Sequence, residues 1–513
     1  MKKSQTLLTS LTTVGSWTII SRIFGFIRDI FIATFLGSGP VAEAFLIAFS
    51  LPNMFRTFFA EGALNLSFVP IFSKKLRDKK AAKLFAEQTL FYLLGGLIIL
   101  NILAQVIMPW LIFAMASGFY FDDRFELAVI YTRITFPYIM FISITALLSG
   151  VMNSIEKFAA AAAAPVLLNV IFISALTLSN YLNWDTGLSL AWAVPIAGFS
   201  QMCLLWYTAS RAGFILIPKF SPLNPELKRL FRVALPAILA GGLIQINLLV
   251  GRQVASYHEG GVAWLSYADR LYQLPLGVVG ISIGIVLLPN LARKLANNDM
   301  QGSQDSFNRS LEFALALTLP AAIAIIVISE PLISVLYERG AFSQIDTANT
   351  SAALVIYAFG LPAFVGQKIL QPIFYARENT RTPLYFALMA MIVNLVLAVG
   401  FSPVLGYLAP AVGTTIASWC MVILLSRGSR KYGLAVQIDN RNKKILPRIF
   451  LSAILMGLIL YVTNIFFDML PNDIINKYFR AIMLIVIGFL SYICIGQVVG
   501  GFKLKQLKNY FKN

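Results

Sequence analysis

The stretch Ser21-Arg22-Ile23-Phe24-Gly25-Phe26-Ile27-Arg28-Asp29 leads through the turn Gly37-Ser38-Gly39-Pro40 to Glu43, Leu51-Pro52-Asn53-Met54-Phe55-Arg56, Glu61-Gly62 and Pro70. It holds two apolar segments, 12–36 and 41–72, each long enough to cross ~30 Å of hydrocarbon. Six ionisable residues interrupt them: Arg22, Arg28, Asp29, Glu43, Arg56 and Glu61. A charge at the bilayer centre costs about 2.5–3.5 kcal/mol on insertion scales, so such residues persist where they face a polar interior. Something polar is handled there.

Working outward, the same apolar character extends through the chain. Its 513 residues are 58% hydrophobic and 12% charged, against about 25% charged in a soluble domain. Mean hydropathy is +0.76. The pattern predicts an all-α polytopic membrane protein with fourteen spans: 12–36, 41–72, 84–113, 126–152, 158–180, 188–210, 230–255, 261–292, 307–329, 346–375, 382–402, 407–426, 446–467 and 479–500. The net charge of +18 does not point to nucleic acid, because about 30 of the 41 Lys and Arg fall on one side. Only Arg124, Arg339, Lys477 and Arg480 fall on the other, which places both termini in the cytoplasm. Cys203, Cys420 and Cys494 lie within apolar segments and imply no disulfide framework. The N-terminus lacks a compact apolar core and a small-residue cleavage site, and is expected to be retained.

Matching features recur in order. Phe136-Pro137 answers Leu361-Pro362, Asn169 answers Asn394, and Leu190-Ala191-Trp192-Ala193-Val194 answers Leu408-Ala409-Pro410-Ala411-Val412. Leu51-Pro52 likewise answers Leu274-Pro275. These predict two parallel six-helix repeats around a central cavity, residues 1–218 and 219–435, with an extra helix pair in 436–513.

The eighth span, from Trp264 to Pro275, places Ser266, Arg270 and Gln273 on one helical face with Asp269 at its shoulder. Gly25, Pro52 and Pro275 are candidate hinges. Arg22, Arg28, Arg56 and Arg270 are therefore expected to line one cavity, with Asp29, Glu43 and Asp269 as partial counter-charges and Lys368 and Glu61 in support. Arg presents a planar fork matched to phosphate or carboxylate oxygens. The cationic excess suits an anionic substrate such as a pyrophosphate. The alternative is a set of interhelical ion pairs that lock the fold. Arg133 and Arg252, near outer helix ends, are expected to snorkel to the interface. Asp122 and Asp123 are read as a solvated loop pair, and His258 as a loop residue. No glycine-rich phosphate loop, metal-ligand spacing or nucleophilic triad is present, so neither an enzyme, a metal nor a cofactor is expected.

The combination Ser21-Arg22-x-Phe24-Gly25-x-x-Arg28-Asp29, Leu51-Pro52-Asn53-x-x-Arg56, Phe59-Ala60-Glu61-Gly62-Ala63 with Phe68-Val69-Pro70, and Tyr267-Ala268-Asp269-Arg270-Leu271 resembles the bacterial lipid II flippase (MurJ, or MviN) family. That family belongs to the multidrug/oligosaccharidyl-lipid/polysaccharide exporter superfamily. The resemblance implies alternating-access transfer of the undecaprenyl-pyrophosphate-linked peptidoglycan precursor, lipid II, from the inner to the outer leaflet of the cytoplasmic membrane. It implies that Arg22, Arg28, Arg56 and Arg270 serve the central cavity, with an acidic residue at Glu43, and that the last two helices form an apolar groove for the lipid tail. It also implies a role in cell-wall biogenesis, with lipid II and the bilayer as partners. The chain is expected to act as a monomer, alongside the cell-wall synthesis machinery. A sodium site found in some members needs an Asp one turn after the Asn of the eleventh span, where this chain has Ala398 after Asn394. Some members carry an acidic residue where this chain has Gln273. The rival readings are an exporter of another polyprenyl-linked oligosaccharide or of cationic drugs, and a non-transporting cell-wall scaffold. A drug exporter calls for an acidic cavity excess, whereas this excess is basic.

Overall fold

The computed structural model describes residues 2–57, 65–470 and 476–501, and among them every regular element is helical. In chain order the first eight helices are α1 (Lys2–Leu36), α2 (Pro40–Arg56), α3 (Asn65–Lys75), α4 (Lys79–Met115), α5 (Arg124–Thr135), α6 (Tyr138–Ser154), α7 (Ala159–Tyr181) and α8 (Thr186–Arg211). They are followed by α9 (Pro225–Ala255), α10 (Gly261–Ala296), α11 (Met300–Tyr337), α12 (Gln344–Tyr375), α13 (Arg381–Leu405), α14 (Ala409–Ser429), α15 (Asn440–Asp468) and α16 (Lys477–Val498). Nine helical segments among the described residues are long and apolar enough to cross a membrane. The fold is that of a multi-pass helical membrane protein.

Local chemistry sets the helix ends. Gly37, at φ +63°, stops α1 in the left-handed conformation that glycine adopts without strain. Pro40 opens α2 at a position where the missing N–H costs nothing. Side-chain oxygens of Asp78, Asp185, Asn224 and Asp439 accept the first free N–H groups of α4, α8, α9 and α15.

The chain forms two compact units, Met1–Ala263 with Arg339–Phe342, and Trp264–Glu338 with Ser343–Asn513. In the first, α4 packs on α5 and α6, α6 on α8, and α7 on both α8 and α1. In the second, α11 packs on α12, α12 on α14, and α13 on α14, with α15 and α16 laid on α11. The packing order of the third to sixth predicted spans thus recurs in the ninth to twelfth. Residues 339–342 belong to the first unit because the Ala341 N–H donates to the Thr34 carbonyl at 2.8 Å beside the α1–α2 turn. Contact there is so close that a Cβ on Gly340 would lie 2.2 Å from the Thr34 oxygen.

Proline kinks are a recurrent device. A proline inside a helix leaves the carbonyl four residues earlier without its N–H donor, and in lipid no water replaces it. Pro52 orphans the Ala48 carbonyl, which accepts from Thr135 Oγ1 of α5 at 3.0 Å. Pro137, in the break between α5 and α6, orphans the Arg133 carbonyl, which accepts from Gln105 Nε2 of α4 at 2.8 Å. Pro320 in α11 orphans the Ala316 carbonyl, which accepts from the Tyr492 hydroxyl of α16 at 2.7 Å. In each case a neighbouring helix supplies the missing donor, so the proline site is tied into the tertiary packing.

Thr135→Val keeps the side-chain shape and removes the hydroxyl. It is expected to lower stability by about 1 kcal/mol, read as a lower midpoint of thermal unfolding in detergent. Thr135→Ser, which keeps the donor but loses a buried methyl, should cost less than Thr135→Ala, which loses both.

Candidate functional site

Arg28, one of the expected cavity arginines, is held on several sides. It is buried, at 9% exposure. Its Nε and Nη2 both donate to Asp29 Oδ1, at 3.0 and 2.7 Å, and its Nη1 donates to Asn169 Oδ1 of α7 at 3.0 Å. Asn169 in turn donates from Nδ2 to the Ser21 carbonyl at 3.0 Å, tying α7 to α1 on both sides of the guanidinium. The Phe172 ring centroid lies 5.8 Å from the Arg28 Cζ, within cation–π range. The guanidinium is therefore fixed in orientation before any ligand arrives. Through Gly25 the helix is uninterrupted, and a Cβ there would make an ordinary 3.5 Å contact with Asn169. Arg22 is exposed and forms no ion pair among the described residues.

Glu43 has a different neighbourhood from the arginines it was expected to balance. It is fully buried and its Oε2 accepts from Arg124 Nη1 at 2.7 Å. Oε1 accepts from the Val262 N–H at 2.8 Å, in the first turn of α10, where the free amides and the helix dipole favour a carboxylate. Arg124 also grips Asp122 through two parallel contacts, Nε to Oδ1 at 2.8 Å and Nη2 to Oδ2 at 2.6 Å. The Phe119 ring centroid lies 4.4 Å from its Cζ. Asp122, expected as a solvated loop carboxylate, is thus engaged by Arg124, which holds its carboxyl below the usual range. That contribution to stability is present above the unfolded carboxyl pKa near ~4 and is lost as pH falls through the lowered folded value. Arg124 itself reads in sequence as a stray outer-loop charge, and only its 81-residue reach to Glu43 reveals it as the hub.

At the end of α2, Arg56 is half-buried and its Nε donates to Asn53 Oδ1 at 2.9 Å, one turn back. Pro52 lies inside the same helix and is buried, with its bend held by Thr135. Glu61 lies outside the described residues. Arg133 is exposed, Arg252 sits in the last turn of α9, and His258 lies in the turn after it.

In the second unit, α10 carries Asp269, Arg270, Gln273 and Pro275. Gln273 Nε2 donates to the Asp269 carboxylate one turn back, while Arg270 is exposed. Beside them Tyr272 packs against Tyr357 and Phe364 with ring centroids 4.9 and 5.2 Å apart. Trp264 Nε1 donates to Asp346 Oδ1 at 2.8 Å, and the other oxygen of Asp346 closes a capping box with Ser343 at the start of α12. Lys368 is exposed on α12. No cluster of three or more potential metal ligands occurs among the described residues.

The second unit also holds an apolar groove of about 510 Å³ between α11, α15 and α16. Leu317, Ala321, Met456, Leu484 and Phe489 contribute to its walls. Close helix approach shapes it: a Cβ on Gly457 would lie 2.4 Å from Ile323 Cγ2. Arg309, Glu312 and Arg441 stand at one part of the lining. There Arg309 pairs with both Glu312 and Asp439, and Arg441 Nη2 reaches Glu312 Oε1 at 2.9 Å. Two arginines and two carboxylates form a neutral lock between α11 and the start of α15. Asn442 reinforces it by donating to the Asn308 carbonyl at 2.8 Å. Sequence patterning gave little sign of this lock, because its partners are about 130 residues apart.

Comparison with known proteins gives a consistent result. A family model described as lipid II flippase MurJ matches residues 32–479. A probable lipid II flippase MurJ from Rhizobium tropici is 39% identical over 515 residues, covering 99% of this chain and 97% of its own length. Another from Rhizobium meliloti (strain 1021) is 42% identical over 468 residues, covering 89% and 86%. Among solved structures, a lipid II flippase MurJ in an inward closed conformation aligns with TM-score 0.81 and 26% identity, covering 94% of this chain and 98% of its own. An inward-facing multidrug resistance MATE family transporter of the MOP superfamily aligns at 0.67 and 17% identity, covering 82% and 97%, a likeness of fold alone.

Arg124→Met strands the buried Glu43 carboxylate and should cost about 3 kcal/mol of stability, and Glu43→Gln alone leaves Arg124 without its buried partner. The double variant Glu43→Gln with Arg124→Met removes both charges and should cost clearly less than the sum of the single changes. Thermal unfolding of the four proteins in detergent checks this as a double-mutant cycle.

Proposed function

The chain belongs to the lipid II flippase MurJ family, and on that premise we propose that it moves lipid II from the inner to the outer leaflet of the bacterial cytoplasmic membrane by alternating access, with both termini cytoplasmic. The observation that carries this reading is the family match across residues 32–479, a span that contains Arg56 and Arg270. The head of lipid II bears a pyrophosphate, and the planar forks of Arg22, Arg28, Arg56 and Arg270 are the groups suited to grip it. Asp29 and Asn169 pre-orient Arg28, which reduces the ordering needed on binding. Asp269, Lys368 and Glu61 tune the local charge, and Pro52 and Pro275 shape the helices that carry it. The two six-helix repeats, 1–218 and 219–435, are the bodies that rock. The helix pair in 436–513 completes the apolar groove, which takes part of the polyprenyl tail.

Moving two negative charges outward across an inside-negative membrane gains about 4.6 kcal/mol per 100 mV. The potential alone can therefore drive export, and the protein works as a monomer beside the cell-wall synthesis machinery.

The deciding measurement is leaflet-specific accessibility of lipid II in cells whose only flippase is this protein. Arg28→Ala and Arg270→Ala, at normal expression, should cut outward-exposed lipid II on the order of tenfold, equivalent to about 1.4 kcal/mol, and should abolish growth. Retained viability would favour a scaffold instead. Collapsing the membrane potential should also lower exposed lipid II, and an unchanged level would rule out potential-driven export.

A further inference from the structure

The groove between α11, α15 and α16 depends on a contact that its apolar lining does not explain. Pro320 lies in the lining and removes the N–H that would satisfy the Ala316 carbonyl. Ala316 and Tyr492 also line the groove, and the Tyr492 hydroxyl donates to that carbonyl at 2.7 Å across the α11–α16 contact. Tyr492 is buried, at 9% exposure, within the cluster formed by Ile328, Ala453, Met456, Leu460 and Leu484. Gly488, one turn before it on α16, packs against Leu460, where a Cβ would lie 3.2 Å from Leu460 Cδ1. The helix pair is thus tight on the α15 side, while the Tyr492 bond ties α16 to α11.

We propose that Tyr492 is a positioning residue: its bond to the carbonyl orphaned by Pro320 sets the spacing of α16 from α11, and so the width of the groove open to a single isoprenoid chain. A phenylalanine would fill the same space, so packing alone does not require tyrosine. The hydroxyl is needed because the Ala316 carbonyl lacks a backbone donor, and it lacks one because of the proline. Hydroxyl and proline therefore form a coupled pair. The proposal rests on the reading of the groove as a tail site, and its test separates the two.

Four full-length proteins in nanodiscs carry out the test: the unaltered chain, Tyr492→Phe, Pro320→Ala, and the double variant. The first readout is the distance distribution between spin labels on α11 and α16. Tyr492→Phe should broaden and lengthen it, and the double variant should restore it, because the Pro320→Ala change returns an N–H to the Ala316 carbonyl. The second readout is photo-crosslinking of α16 by a diazirine-bearing polyprenyl phosphate. Its yield should fall about threefold to tenfold in Tyr492→Phe and recover in the double variant. An unchanged distance in Tyr492→Phe, or a double variant as displaced as the single one, overturns the positioning role. Distances that behave as expected, with no crosslink to α16 even in the unaltered chain, leave the positioning role standing and overturn the tail-site reading.

Discussion

In hydrocarbon no water is available to complete a backbone amide or to solvate a charge, and this constraint organises the whole molecule. Its first effect is the all-helical architecture, in which each segment satisfies its own backbone. Its second effect appears at three of the prolines. The carbonyls of Ala48, Arg133 and Ala316 are each completed by a side chain from another helix. Bends that look like points of weakness in the sequence are therefore points of tertiary attachment.

The same constraint separates the charged residues into two kinds. Glu43, Arg124 and Asp122 satisfy one another and the first turn of α10, and they act as a structural fastening within the first unit. Arg28 is paired as well, with Asp29, but its second partner is the neutral amide of Asn169, which holds the guanidinium's orientation without a second carboxylate. Arg309, Glu312, Asp439 and Arg441 belong with the fastenings, since their charges cancel. A lipid-facing protein that carries an anion across the membrane needs both kinds, and the difference lies in the partners rather than in the arginines themselves.

The fold was legible in the sequence because apolar runs of the right length and the one-sided distribution of Lys and Arg are strong, local signals. The Arg28–Asp29 pair was legible for the same reason, being adjacent. What was hidden depends on long separations. Asn169 showed in the sequence as a match to Asn394, but its pairing with Arg28, 141 residues away, did not show at all. Arg124 looked like an outer-loop exception to the charge bias until its contact with Glu43 placed it. The resemblance implied a groove at the last two helices, but the residues that build it left no mark in the pattern, since Leu317, Met456 and Leu484 are ordinary residues for a membrane helix and only their convergence makes the groove. Prolines announced the bends but not the donors that complete them.

Those donors enter the membrane at different times during synthesis. Gln105 precedes Pro137 in the chain, so the Arg133 carbonyl has its partner as soon as the bend exists. Thr135 follows Ala48 by 87 residues and Tyr492 follows Ala316 by 176. At about 5–20 residues per second, the Ala316 carbonyl waits roughly 9–35 s for its hydroxyl. The bend of α11 is the last of the three to be completed, and until α16 arrives it presents a bare acceptor within the bilayer. A ribosome that stalls or terminates before Tyr492 leaves a chain whose earlier bends are both complete and whose α11 is not. The unpaired Ala316 carbonyl is thus what distinguishes such a truncated chain from the finished one.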